Sequence, residues 1–243
     1  MREQLYHRVQ FVISAGTACR SAFHIQRLYM RKFSSPCDWM MRYSLTDFLE
    51  VLASRGEQMF QLASIDPVIR GVVDRQNGML SLNDFDCDSA LEPQLPAFYE
   101  KMKRRAQNTI RQIEKSHCVG IVMHRDVSRN ELINFANALT THFPSCKFHI
   151  VNIKDTPTLS THQITLSIKT EHYSVREICF NDEHPNGRLK EDNPSFWIGD
   201  ENSWTKILKT EFHVKGRHYY MMKSLLKHYF ARIRKKLKSK VCR

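Results

Sequence analysis

"FVISAGTACRSAFHIQRL", residues 11–28, joins a strand-like segment to a helix-like one through a glycine and a cysteine. The apolar, β-branched run Val9–Ala15 predicts a buried strand, which Gly16 ends. From Cys19 to Met30, apolar residues recur at helical spacing. The stretch therefore predicts a strand–turn–helix unit with Cys19 at the start of the helix.

Strand-like and helix-like segments go on alternating along the chain. This alternation predicts the α/β class, with a mainly parallel sheet and helices on both faces. Two strand-like runs with little between them predict an antiparallel edge pair, and a C-terminal amphipathic helix is expected after them. The expected helices are Leu45–Phe60, Leu95–Ser116, 128–143 and Glu201–Leu208, and the expected strands are Met79–Leu82, 118–123, 148–153, 163–168 and 174–180.

The charge of the chain is concentrated at one end. The net charge is +12, and residues 215–243 contain eleven Lys or Arg and no Asp or Glu. The rest of the chain is therefore close to neutral. We expect one α/β domain over residues 1–214 and a basic amphipathic helix or tail over residues 215–243.

The seven cysteines predict a reducing compartment. They are spread along the chain with no Cys-x-x-Cys pair, which excludes a zinc knuckle and a dithiol redox site. The apolar run near Arg2 and Arg8 is short and contains Gln10, so it does not resemble an export signal. No stretch approaches the ~20 apolar residues of a membrane span. The expected location is the cytoplasm.

Polar side chains follow several of the predicted strands. Because ligands of an open α/β sheet gather outside the carboxyl ends of its strands, we expect these side chains to share one edge. They comprise a thiol, an imidazole, an amide, carboxylates and cations, which are the groups of a nucleophilic active site. In chain order they are Cys19, Asn83, Asp84, His124, Arg125, Asp126, Asn152, Lys154 and Asp155.

Cys19 is the candidate nucleophile, because the N-terminus of a helix stabilises a thiolate. The alternative is a small buried thiol in a tight bend. His124 is the candidate base and otherwise a surface residue, and Asp84 or Asp126 could orient it. Asn83 could be the amide partner that papain-type sites use. The other histidines are expected at the surface or at core edges, and no metal or cofactor is expected.

Four motifs together resemble a bacterial family of papain-like cysteine peptidases. Residues 15–40 are similar to its opening Gly-x-x-Cys turn, helix and Pro-Phe-Asp-Trp segment. "LSLNDFD" (80–86) is similar to its His-Asp-Phe segment, "GIVMHR" (120–125) to its strand ending in Arg, and "WIGDENSW" (197–204) to its Trp-x-Gly-Asp motif. The order agrees over residues 11–208. The matching residues of the opening motif are Gly16, Cys19, Ala22, Arg27, Arg31, Pro36, Asp38 and Trp39.

The resemblance implies a Cys19 nucleophile with several motif residues around it. Cys37 stands where the family has Phe, and Asn83 stands where it has His. If that His is the family's base, this chain needs His124 or another histidine in its place. The expected neighbours of Cys19, with Arg125 as a substrate-binding cation, are Asp38, Trp39, Asp84, Trp197 and Asp200. Asp200 could instead cap the last short helix.

Residues 219–240 alternate apolar and basic side chains at helical spacing. Such a helix suits an anionic membrane surface, and a docked terminal helix with a solvated end is the alternative. Specific nucleic-acid binding is not expected, since the body has no nucleic-acid motif. The expected membrane-surface residues are Lys223, Lys227, Arg234, Lys235 and Lys238.

Three functional hypotheses follow from these observations. The first is a cysteine hydrolase or acyl transferase acting on a small-molecule, glycan or peptide substrate, peripheral to the inner membrane. The second is a transferase that modifies precursors of surface polysaccharide or lipopolysaccharide. The third is a non-catalytic binding protein of the same fold, which Asn83 favours.

Overall fold

The computed structural model describes residues 7–187, 189, 193–222 and 226. Two short 3-10 turns, at Glu92–Gln94 and Phe196–Ile198, accompany the regular elements. The helices are α1 Cys19–Arg27, α2 Leu45–Ala53, α3 Leu95–Glu114, α4 Arg129–His142 and α5 Glu201–Glu211. The strands are β1 His7–Val9, β2 Val12–Ser14, β3 Met40–Met41, β4 Ala63–Asp66, β5 Gly71–Asp74, β6 Leu80–Ser81, β7 Cys118–His124, β8 Lys147–Asp155, β9 Gln163–Lys169, β10 Tyr173–Phe180 and β11 Phe212–Val214.

The central sheet has five strands in the order β2-β7-β8-β10-β9. Strands β2, β7, β8 and β10 are parallel, and β9 pairs antiparallel with β10 at the edge. One row across the sheet aligns Ile13, Ile121, Ile150 and Val175. The expected α/β fold, with a mainly parallel sheet and an antiparallel edge pair, is confirmed.

Helices cover both faces of this sheet. The face carrying Ile121 packs in one apolar cluster with Phe48 of α2 and Phe98 of α3. The opposite face, carrying Val122, packs in a second cluster with Trp204 of α5. Burial on both faces explains why the parallel strands are nearly continuous apolar runs.

A second sheet, which the sequence analysis largely missed, lies between α1 and α3 in the chain. It is antiparallel, in the order β3-β6-β5-β4. Its strands have two to four residues, too few to display an alternating pattern. The helix expected over Leu45–Phe60 ends at Ala53, because Arg55 and Gly56 adopt left-handed φ angles of 54° and 79°.

The strand expected over Val9–Ala15 is divided in two. β2 belongs to the central sheet, whereas β1 pairs in parallel with β11 in a sheet of two strands. Residues 217–222 are helical. The expected membrane-surface residues Lys223, Lys227, Arg234, Lys235 and Lys238 lie outside the described residues. Among the helices that the structure describes, none has the length and apolarity to cross a bilayer.

Candidate active site

The candidate site lies at the carboxyl edge of the four parallel strands. Cys19 begins α1 a short turn after β2, and His124 is the last residue of β7. Asp155 ends β8, and Asp182 stands two residues after β10. Parallel strands bring their carboxyl ends to one edge, so residues far apart in the chain meet there.

Cys19 occupies the first helical position of α1, and the preceding Ala18 gives the helix no side-chain cap. The backbone N–H groups of this first turn therefore have no intrahelical acceptor. The half-buried Sγ lies 3.9 Å from the carbonyl oxygen of Trp39. A Cβ at Gly16 would collide with Oγ of Ser21, so a larger residue in the turn before Cys19 would force that hydroxyl to move.

Burial raises the pKa of the Cys19 thiol above its ordinary value, and the backbone N–H of Cys19 lowers it by a smaller amount. The sequence analysis expected a thiolate stabilised by the helix N-terminus. In the described structure, the pKa is raised and does not favour a resting thiolate. Cys19 is therefore a neutral thiol at pH 7.

His124 leaves the end of β7 with one side of its ring towards Asp182. Its Nε2 lies 3.4 Å from Oδ2 of Asp182, and its carbonyl accepts a 3.3 Å hydrogen bond from the Thr17 hydroxyl. Burial lowers the pKa of His124 to about 4, with a further lowering from the Arg20 charge that the carboxylates of Asp182 and Asp155 only partly offset. The imidazole is therefore neutral over most of the physiological range.

Asp182 is the carboxylate that the structure places beside His124. Its buried oxygens accept hydrogen bonds from Nη1 of Arg20 at 2.6 Å and from Nε1 of Trp204 at 3.0 Å. The backbone N–H of Asp200 donates to Oδ1 at 2.9 Å. These contacts fix the carboxylate in place, and a Cβ on Gly199 would collide with the same Oδ1.

Asp182 did not figure among the predicted site residues. The signal was its place just after the run 174–180, which was interpreted as part of an antiparallel pair. β10 is antiparallel to β9 but parallel to β8, so its carboxyl end reaches the same edge as that of β7. Counting the end of β10 with the other parallel strands would have included Asp182.

Cys19 and His124 line one cavity of about 740 Å³. Arg20 fixes one wall, since its guanidinium donates to the carbonyl oxygens of Trp197 at 2.6 Å and of Phe196 at 3.2 Å. Most of the other lining side chains are apolar, so the cavity suits a substrate with an apolar portion. The remaining lining residues are Thr17, Ala18, Trp39, Met41, Leu82 and Asn83.

The two carboxylates expected to orient His124 have other partners. Asp84 forms an ion pair with Lys101 at 2.5 Å and accepts a hydrogen bond from the Ser81 hydroxyl at 2.8 Å. Asp126 pairs with Lys154 at 2.5 Å, and the Asp126 side chain is largely exposed. Their backbones follow strand ends as expected, while their side chains point to cations outside the cavity lining.

Three residues expected to bind substrate have structural contacts instead of a place in the cavity lining. Asp38 is buried against Arg31 at 2.7 Å. Arg125 is buried and donates to the carbonyl oxygens of Ala15 at 2.6 Å and Tyr43 at 2.7 Å. Asp200 is the N-cap of α5, accepting hydrogen bonds from the first turn of that helix. Trp39 and Trp197 do line the cavity.

Within the described residues, no group of three or more His, Cys, Asp or Glu side chains is placed to hold a metal ion.

The comparison with known families identifies the chain. No match was found among curated proteins or among solved structures. A family model described as "Putative papain-like cysteine peptidase (DUF1796)" matches residues 10–236, which include Cys19, His124 and Asp182. The match covers most of the chain, and the protein belongs to this family.

Proposed function

We propose that this protein is a cysteine hydrolase in which Cys19 is the nucleophile, His124 the base and Asp182 the residue that orients the base. The observation that carries the proposal is the shared cavity of Cys19 and His124, with Asp182 3.4 Å from Nε2 of His124. Membership of the papain-like family supports it independently. Asn83 stands where the motif of the family has a histidine, and in this proposal His124 is the base instead.

The first chemical step is attack of Sγ of Cys19 on an acyl carbonyl carbon. Nε2 of His124 faces Asp182, so Nδ1 is the ring atom that takes the thiol proton. The oxyanion is stabilised by the N–H groups at the N-terminus of α1, where Ala18 supplies no competing cap. The bond to the leaving group breaks as His124 returns the proton to it, which leaves a thioester on Cys19.

Water then attacks the thioester, with His124 taking its proton, and the free thiol and the acid product are restored. An acceptor hydroxyl or amine in place of that water would make the same site an acyl transferase. The neutral thiol and neutral imidazole at rest mean that proton transfer accompanies attack. This differs from a preformed thiolate–imidazolium pair.

Peripheral membrane association in the cytoplasm, through the basic residues 215–243, is part of the same proposal. It rests on the eleven cationic residues and the absence of acidic ones in that segment. The reaction steps at Cys19 do not involve this segment.

The proposal is tested by trapping the acyl-enzyme. Purified protein is incubated with p-nitrophenyl esters and peptide anilides, and the Cys19 peptide is analysed by mass spectrometry. Cys19→Ala should lower turnover by about 10³-fold or more, while Cys87→Ala, at a partly exposed cysteine away from the cavity, should have no effect. Turnover that survives in Cys19→Ala would contradict the proposal.

A further inference from the structure

A groove separate from the candidate active site is basic. It has a volume of about 1020 Å³ and runs along the outer side of α3. Four arginines line it, with Glu114 as the acidic residue of the lining. Its apolar floor is formed by Phe33 and Ile110. The four arginines are Arg55, Arg104, Arg105 and Arg111.

These guanidinium groups have no carboxylate partner among the described residues, and Arg111 donates one hydrogen bond to Oδ1 of Asn108 at 2.8 Å. Among the ion pairs of the described residues, none includes any of the four. Glu57, which lies near Arg55 in the chain, pairs with Lys103 at 3.1 Å. Arg55, Arg104 and Arg111 are exposed. Such a cluster repels itself unless an anion is bound.

Exposed apolar side chains lie on a helical turn that contacts Lys32, the chain neighbour of the groove residue Phe33. The helical turn at residues 217–222 contacts the segment before Phe33. Arg217 Nε donates to the Leu28 carbonyl oxygen at 2.8 Å, and Lys32 Nζ lies 5.9 Å from the centre of the Tyr220 ring. On this turn, Tyr219 is 65% exposed and Met222 is 52% exposed. Large apolar side chains next to cations are typical of surfaces that enter the headgroup region of a bilayer.

We propose that the arginine groove of α3 and the apolar turn at residues 217–222 form one docking face for anionic phospholipid headgroups of a membrane. Arginine forks match phosphate oxygens, and Tyr219 and Met222 would enter the boundary between headgroups and acyl chains. A nucleic acid would use the same cations but gains nothing from an exposed methionine. The apolar component therefore favours a bilayer over RNA.

The position of the docking face leaves the cavity accessible. The groove ends near Arg111 and Glu114, just before β7 begins, whereas His124 stands at the other end of β7. Seven residues of strand separate the two ends by about 20 Å. The groove and the cavity share no lining residue, so a membrane bound at the groove does not have to cover Cys19.

The test compares full-length variants by sedimentation with vesicles of phosphatidylcholine alone or mixed equally with phosphatidylglycerol. Arg55→Glu, Arg104→Glu and Arg111→Glu together should weaken binding to the anionic vesicles by about 100-fold. The matched control reverses three exposed cations elsewhere, as Arg129→Glu, Lys169→Glu and Lys209→Glu. It should weaken binding by less than about fivefold, since only long-range attraction is lost. Equal losses in the two variants would overturn the docking face.

Two further variants separate this proposal from its alternatives. Arg234→Glu, Lys235→Glu and Lys238→Glu test the tail, and the groove is overturned if this variant accounts for all vesicle binding. Tyr219→Ser with Met222→Ser should weaken vesicle binding and leave binding to a single-stranded RNA unchanged. A groove variant that loses RNA binding at physiological salt but keeps vesicle binding would assign the groove to nucleic acid instead. None of these measurements depends on activity at Cys19.

Discussion

Two histidines of this protein, the partly exposed His124 and the buried His149, have nearly the same neighbours and different surroundings. His124 faces Asp182, which binds Arg20, and His149 faces Glu211, which binds Arg176. Nε2 lies 3.4 Å from the carboxylate in the first trio and 3.2 Å in the second. Burial lowers the pKa of both histidines.

The difference is in the second ring nitrogen. Nδ1 of His149 is hydrogen-bonded to the Ser174 hydroxyl at 2.8 Å, and the ring is sealed against Phe212. Nδ1 of His124 has no hydrogen-bond partner among the described residues, and His124 lines a cavity with Cys19. A histidine, a carboxylate and an arginine are therefore not a catalytic signature in themselves. What matters is whether one nitrogen remains available at a cavity.

The largest expected effect separates the two histidines by activity. His124→Ala should lower kcat/KM by about 10²–10⁴-fold, the usual contribution of a general base, with little change in unfolding. His149→Ala should keep kcat/KM and lower the free energy of unfolding by about 1–3 kcal/mol, because the Ser174 and Glu211 groups lose a partner in the interior. Ester turnover and chemical denaturation measure the two quantities. Similar losses of activity in His124→Ala and His149→Ala would contradict the separate roles of the two histidines.

The second effect concerns Arg176, which pairs with Glu211 beside His149. Burial opposes the ionisation of Glu211, but its contacts with His149 and Arg176 hold the pKa of Glu211 below its ordinary value. Arg176→Met would leave that charge without its cation and should cost about 3–5 kcal/mol of stability. Arg70→Met removes an exposed ion pair with Asp88 and should cost at most about 1 kcal/mol. Urea midpoints of the two variants at pH 7 provide the comparison.

The third effect tests how firmly Asp182 is held. Gly199 has a φ of 72°, and a Cβ there would meet Oδ1 of Asp182. Gly199→Ala should therefore displace the carboxylate, cost about 1–3 kcal/mol of stability and lower kcat/KM. Gly187 has a φ of 105°, and a Cβ added there would have nothing within 4 Å. Gly187→Ala should show backbone strain alone, with kcat/KM unchanged.

The smallest effect is a shift of the acid limb of activity. His124 must be neutral to accept a proton, so with a pKa of about 4 the activity should rise as the pH increases through 4 and then level off. The Arg20 charge lowers this pKa, so Arg20→Gln should move the limb to higher pH by about one unit. The profile of kcat/KM from about pH 3 to about pH 8 measures the shift. A limb that moves to lower pH would contradict the assigned electrostatics.

Much of the central sheet and its helices could be predicted from the sequence, whereas the side-chain contacts within the candidate site could not. The runs that became β7 and β8 are long and apolar, so periodicity identified them, and their order placed Cys19 and His124 at one edge. Of the short strands, β6 was expected within Met79–Leu82, whereas β3, β4 and β5 gave too little pattern. Periodicity also cannot tell which carboxylate lies beside a histidine. Asp182 lies beside His124 because β10 runs parallel to β8 and ends at the same edge of the sheet. His24 and His149 were expected at the surface or at core edges and are fully buried.

The pairing of β1 with β11 has a consequence for how the protein is made. His7 aligns with Phe212, about 200 positions later in the chain. Parallel pairing at such separation is slow to form, because the entropy cost of closing a long loop comes before the stabilising contacts between the strands. Asp182 and Trp204 also leave the ribosome long after Cys19. A nascent chain therefore carries its cysteine without the completed site until residues 182–214 have been made.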